Sequence, residues 1–195
     1  MNIEQNVLQR YADAAVEREA ALCCPVSYDP QYLKAIPQEV LDRDYGCGDP
    51  SAFVREGETV LDLGSGGGKI CFIASQVVGP TGQVLGVDFN PAMLDLARQN
   101  QPRVAAAIGY DNVTFLRGRI QDLTTNVDLV DSDLGETPIR SAEDYLAFVD
   151  RLRAASEAEP LVASDSVDVI VSNCVLNLVH PADKRALFAE MIRVL

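Results

Sequence analysis

Thr59-Val60-Leu61-Asp62-Leu63 runs directly into Gly64-Ser65-Gly66-Gly67-Gly68, and Lys69 to Val78 (KICFIASQVV) follows before Gly79-Pro80. The short apolar run predicts a strand, and the next stretch predicts a helix stopped by Gly79-Pro80. A strand passing through glycines into a helix lets the backbone and the helix N-terminus approach a ligand closely. The spacing excludes one reading: a dinucleotide-binding G-x-G-x-x-G starting at Gly64 requires glycine or alanine at position 69, where Lys69 stands.

Outward from this turn the rhythm repeats. Gln83 to Val87 predicts a second strand ending at Asp88, and Pro91 to Asn100 a helix with proline in its first turn. Asn112 to Leu116 and Val167 to Val171 predict the third and fourth strands, and Ala182 to Leu195 a closing helix. Alternating strands and helices predict an α/β, Rossmann-like fold: a mostly parallel sheet with helices on both faces. Upstream, residues 3 to 22 carry apolar side chains at helical spacing, and Cys23-Cys24-Pro25 ends that helix. The chain therefore divides into an N-terminal helix and cap segment, residues 1–50, and a ligand-binding domain, residues 51–195. Residues 123–166 interrupt that domain as an acidic insert. Residues 121 to 168 hold 12 acidic and 3 basic side chains. Ser141-Ala142-Glu143-Asp144 opens a helix in the insert, with Tyr145, Phe148, Val149 and Leu152 as its apolar stripe. A solvated helix on the domain edge and a lid over a site are its two readings.

At 195 residues and 48% hydrophobic, the chain can bury a substantial core. A net charge of −13 argues against nucleic acid and anionic membranes as partners. The N-terminal residues lack the basic and apolar regions of a secretory signal, which predicts a cytoplasmic protein. Five cysteines at irregular spacing do not form a disulfide framework, and a single histidine, His180, nearly excludes His-centred catalysis.

The form D-L-G-S-G-G-G at residues 62–68, with Asp88 closing the next strand, resembles the class I S-adenosylmethionine-dependent methyltransferases. Two further segments, Tyr45-Gly46-Cys47-Gly48 and Ser172-Asn173-Cys174-Val175-Leu176-Asn177-Leu178, are similar to the Y-G-C-G and S-N-C-V-x-N-L motifs of the arsenite methyltransferases. Gly118-Arg119-Ile120-Gln121-Asp122-Leu123 is similar to a G-x-I-x-x-L stretch of that family. The resemblance implies S-adenosylmethionine as cofactor, contacted by Tyr45, Asp62, Gly64, Ser65, Gly66, Gly68, Asp88, Phe89, Ile120, Gln121, Asn173 and Val175. It implies Cys47 and Cys174 as catalytic thiolates ligating trivalent arsenic, with Cys23 or Cys24 as a further ligand. Arsenite or its thiol conjugates would be the small-molecule substrate, and a thiol reductant such as thioredoxin or glutathione a partner. Soft trivalent arsenic suits thiolates, and methyl transfer to its lone pair needs no general base. Cys71, among Ile70, Phe72 and Ile73, reads instead as core. Two alternatives stay open: a methyltransferase acting on another small molecule, and a non-catalytic cofactor-binding or thiol-sensing module.

The chain also departs from the family. Lys69-Ile70 stands where Arg-Asp is usual, and the three further strands and additional cysteine of family members have no counterpart before Leu195. This predicts an apparently truncated sheet whose fourth strand has an open edge, to be covered by the insert, a partner chain or a missing segment.

Overall fold

The structure is a computed structural model that describes residues 3–16 and 27–195, so Cys23 and Cys24 lie outside the described residues, as does the predicted end of the first helix. Four parallel strands, β1 (Thr59–Leu63), β2 (Gln83–Asp88), β3 (Val113–Arg117) and β4 (Val169–Ser172), lie in the spatial order β3-β2-β1-β4. The helices are α1 (Ile3–Val16), α2 (Pro30–Leu33), α3 (Gln38–Asp42), α4 (Lys69–Val78), α5 (Pro91–Ile108), α6 (Val127–Glu136), α7 (Ala142–Ala158) and α8 (Lys184–Val194). The chain steps from β1 outward to β3, then returns to place β4 on the other side of β1. Such a reversal opens a crevice at the carboxyl ends of the strands, where α/β sheets bind ligands.

Both faces of the sheet are packed. Val60, Val84, Val113 and Phe115 meet Phe72, Ile73 and Leu94 on one face, joined by Ile36 and Val40 from the N-terminal segment. Leu61, Leu63 and Val87 meet Val167, Leu187 and Val194 on the other. Two-faced burial is why TVLDL reads as a continuous apolar run rather than an alternation. Gly68, at φ +86°, starts α4; a Cβ there would stand 2.6 Å from Phe115 Cζ, so only glycine lets α4 lie this close to β3.

The structure departs from the sequence expectations at several boundaries. Helix α5 passes Asn100 and crosses Pro102, ending at Gly109, which caps it at φ +89°. Proline in a helix interior costs about 3 kcal/mol or more, and the burial of Val104 beyond it helps offset this. Strand β3 is displaced by one residue from its expected span. Strand β4 starts two residues late, because the Val167 N–H donates to the Val194 carbonyl and that of Asp168 to Thr59 instead. Helix α8 is preceded by a tight turn, Pro181–Asp183, capped by the His180 ring.

The insert holds two helices, not one. Asn126 caps α6 and Ser141 caps α7, and neither helix has a buried residue. Arg98 of α5 and Arg117 of β3 pair with Asp128 and Asp131 of α6, while Arg151 joins α7 to Asp133. These pairs anchor the insert on the β3 side of the sheet. Of the three expected covers for the β4 edge, the insert does not pair with it: among the described residues β4 pairs with β1 alone. No helix among them is long and apolar enough to cross a membrane.

Candidate functional site

A cavity of about 190 Å3 opens at the carboxyl ends of the strands. Asp62 in β1 and residues 64–67 after it line the cavity, with Asp88 at the end of β2 and Phe89 and Asn90 after it, residues 118–121 after β3, and Asn173, Val175, Leu178 and Val179 after β4. Tyr11 and residues 43–46 complete its wall. Of the residues singled out in the sequence as cofactor contacts, Tyr45, Asp62, Gly64, Ser65, Gly66, Asp88, Phe89, Ile120, Gln121, Asn173 and Val175 all lie here. Gly68 does not line the cavity; it serves the packing of α4.

The cavity has the features of a ligand cradle. Gly66, at φ +52°, has no atom within 4 Å of where a Cβ would stand, so a side chain there would project into open space. Ser65 Oγ is buried without a hydrogen-bond partner. A buried orphan hydroxyl costs about 1–3 kcal/mol, which a bound polar group would recover. Asp88 accepts from the Gly66 and Asn90 N–H groups, each at 2.8 Å, so its carboxylate is oriented by the glycine turn and retains acceptor capacity. Burial raises its pKa, against backbone N–H donors from Asn90, Gly66 and Phe89 that pull it down. Asp88 does not cap α5; Asn90 does, accepting from the Ala92 and Met93 N–H groups.

Asp62 is 2% exposed. Burial pushes its pKa up to about 7, against a hydrogen bond from the Cys71 thiol, while Asp88 and Asp44 add to the rise. Cys71 is fully buried in the core, and its thiol donates to Asp62 at 3.4 Å. Burial and the Asp62 carboxyl raise the thiol pKa, so it stays protonated.

Cys47 and Cys174 are 127 residues apart in sequence and converge to a Cα separation of 6.0 Å, joined by a disulfide. The structure holds the pair in its oxidised form, with the two sulfurs bonded to each other. Asn173 draws the two loops together, accepting from the Cys47 N–H at 2.9 Å and donating to the Gly48 carbonyl at 2.7 Å. Cys174 has φ +62°, a left-handed backbone uncommon outside glycine. Strain of this kind costs about 1–3 kcal/mol and clusters at functional sites. Tyr45 reaches the other way: its hydroxyl donates to the Ala14 carbonyl at 2.9 Å, and its ring meets Tyr11 edge-on, tying α1 to the cavity wall.

One cluster beside the cavity has no counterpart among the contacts expected from the sequence. Lys69, Asp44 and Tyr28 form a compact cluster: the ammonium pairs with Asp44 and lies 3.6 Å from the Tyr28 ring centroid. Burial, then the Asp44 and Asp49 charges, raise the Tyr28 pKa, keeping the phenol a donor. The available signal was a lysine at the first position of a helix, against the macrodipole.

The sheet order, the glycine turn and the acidic end of β2 define an α/β protein built to hold a small molecule at its carboxyl edge. A family model described as "methyltransferase domain" matches residues 54–151, half of the chain, and the chain belongs to that family. It is 32% identical over 195 residues to the arsenite methyltransferase of Aquipseudomonas alcaligenes, covering 98% of this chain and 46% of that protein. The mouse arsenite methyltransferase is likewise 32% identical, covering 100% of this chain and 43% of the mouse protein. The crystal structure of an arsenic(III) S-adenosylmethionine methyltransferase from Chlamydomonas reinhardtii superimposes with a TM-score of 0.59 at 30% identity, covering 87% of this chain and 46% of that one. The chain thus spans less than half the length of these relatives.

Proposed function

We propose that this chain binds S-adenosylmethionine in the carboxyl-edge cavity and contributes to methylation of trivalent arsenic held by Cys47 and Cys174. One observation carries the reading: a cysteine pair converges beside a methyltransferase glycine turn, in a chain whose relatives include arsenite methyltransferases. Asp88 would accept hydrogen bonds from ribose hydroxyls, and Ser65 and the open side of Gly66 would receive the polar end of the ligand. When bound, S-adenosylmethionine supplies a methyl group on a sulfonium, transferable in line to an arsenic lone pair. The chain's own residues then have to position two centres and exclude water; no proton need be removed. The cysteines ligate arsenic only when reduced, because the thiolate is the ligand. A thiol reductant such as thioredoxin or glutathione, in a reducing compartment such as the cytoplasm, therefore belongs to the reading. A thiol-sensing module without turnover is the second reading, favoured by the disulfide itself.

Calorimetry tests the assignment. S-adenosylmethionine should bind and NAD should not, and Asp88→Ala should weaken binding by about 1–3 kcal/mol, the effect of leaving buried donors unpaired. Tighter binding of NAD than of S-adenosylmethionine would remove the methyltransferase reading.

A further inference from the structure

Lys69 occupies a place that disfavours a cation. It is the first residue of α4, its side chain is 9% exposed, and no acidic residue stands in the first turn of that helix. The macrodipole is positive there, and a buried ammonium is costly unless it is paired. All of its partners come from the segment that carries Cys47. Asp44, 16% exposed, supplies the charge, and the Tyr28 ring packs over the ammonium. The Tyr28 hydroxyl donates to the Gly48 carbonyl at 3.1 Å, and Asp44 and Gly48 bracket Cys47. On the opposite side Asn173, adjacent to Cys174, holds the same loop through the Cys47 N–H and the Gly48 carbonyl. The loop is therefore clamped between α4 and the segment after β4. On the α4 side the clamp is a charge pair, and on the Asn173 side it is a pair of amide hydrogen bonds.

We propose that the Lys69–Asp44 pair, with Tyr28 packed on the ammonium, is the positioning device that holds Cys47 against Cys174. Its two carriers are far apart in sequence from Cys174, so the sulfur geometry is set across the fold rather than within one loop. In the reduced protein the pair keeps the two thiols at a high effective concentration toward one another and toward any thiophilic centre that bridges them. This rests on reading Cys47 and Cys174 as the working pair, but its test needs neither arsenic nor methyl donor.

The test is the thiol–disulfide equilibrium of the full chain in glutathione buffers, read by alkylation and peptide mass spectrometry at Cys47 and Cys174. The two protein thiols lose two electrons and two protons as one glutathione disulfide becomes two glutathione molecules, so the equilibrium constant measures their effective concentration. Lys69→Met and Asp44→Asn should each lower that constant about tenfold, and Lys69→Arg should restore it to within about threefold. Val104→Ala, which opens the same core far from the loop, should lower the melting temperature and leave the constant unchanged. The proposal is overturned if Lys69→Met and Asp44→Asn keep the parent's constant, or if Val104→Ala lowers it equally. Should Lys69→Met fail to fold, the isosteric Asp44→Asn decides on the same criterion. Arsenite failing to bind while the constants behave as stated would remove the arsenic reading and leave the clamp standing.

Discussion

Helices α4 and α7 show two ways of attaching a helix to the same sheet. Eight of the ten residues of α4 are buried, including Lys69. Helix α7 has 17 residues and buries none. The first is fixed by apolar area removed from water; the second is held to α6 by a part-exposed arginine–aspartate pair and an apolar groove that includes Leu129, Phe148 and Leu152. Everything the cavity needs to be rigid, from the glycine turn to the capped start of α5, hangs from elements of the first kind. The insert enters the core only at its two ends, where Leu123 and Val162 are buried.

The largest test of that contrast is truncation. Phe72→Ala should destabilise the chain by about 3–5 kcal/mol, the range for emptying a packed aromatic site, whereas Leu152→Ala should cost well under half as much. Chemical denaturation of both variants measures it, and equal losses would show that α7 shares the core.

The next effect is on pH, and it separates the cavity floor from the insert. The folded pKa of Asp62, about 7, lies above its ordinary value near 3.8. The folded state therefore holds this proton more tightly than the unfolded state, so the contribution is stabilising below pH 4 and is lost as pH rises toward 7. Burial raises Asp88 in the same direction. Stability should therefore fall as pH rises from about 4 toward 7. Asp62→Asn should flatten the profile between pH 4 and 7, and an unchanged slope would contradict the assignment.

The smallest effect belongs to the insert. Arg151→Met breaks a solvent-screened pair with Asp133 and should leave stability nearly unchanged, with any loss disappearing at high salt. A larger, salt-independent loss would mean that α7 is held by packing.

The same division governs what the sequence reveals. The spans of β1 and α4 follow residue for residue from the apolar runs and their glycine punctuation, because burial leaves a periodic signature. Helix α6 went unread, since Val127, Leu129, Val130 and Leu134 lie in an acidic stretch and bury too little to dominate its pattern. The continuation of α5 was hidden by Pro102, where tertiary packing overrides a local breaker. The Cys47–Cys174 juxtaposition was legible only as two motifs; their distance is set by the sheet order, which no local spacing encodes. The Lys69–Asp44 pair joins a helix start to a loop 25 residues away and likewise has no periodic trace.

The central claim is that Cys47 and Cys174, reduced, form one thiophilic site beside the cavity. Alkylation mapping of the reduced chain with and without arsenite tests it most directly. Arsenite should protect both cysteines, Cys71→Ser should keep that protection, and Cys47→Ser and Cys174→Ser should each lose it, as should acidification that protonates the sulfurs. Protection that survives in both serine variants would contradict the claim.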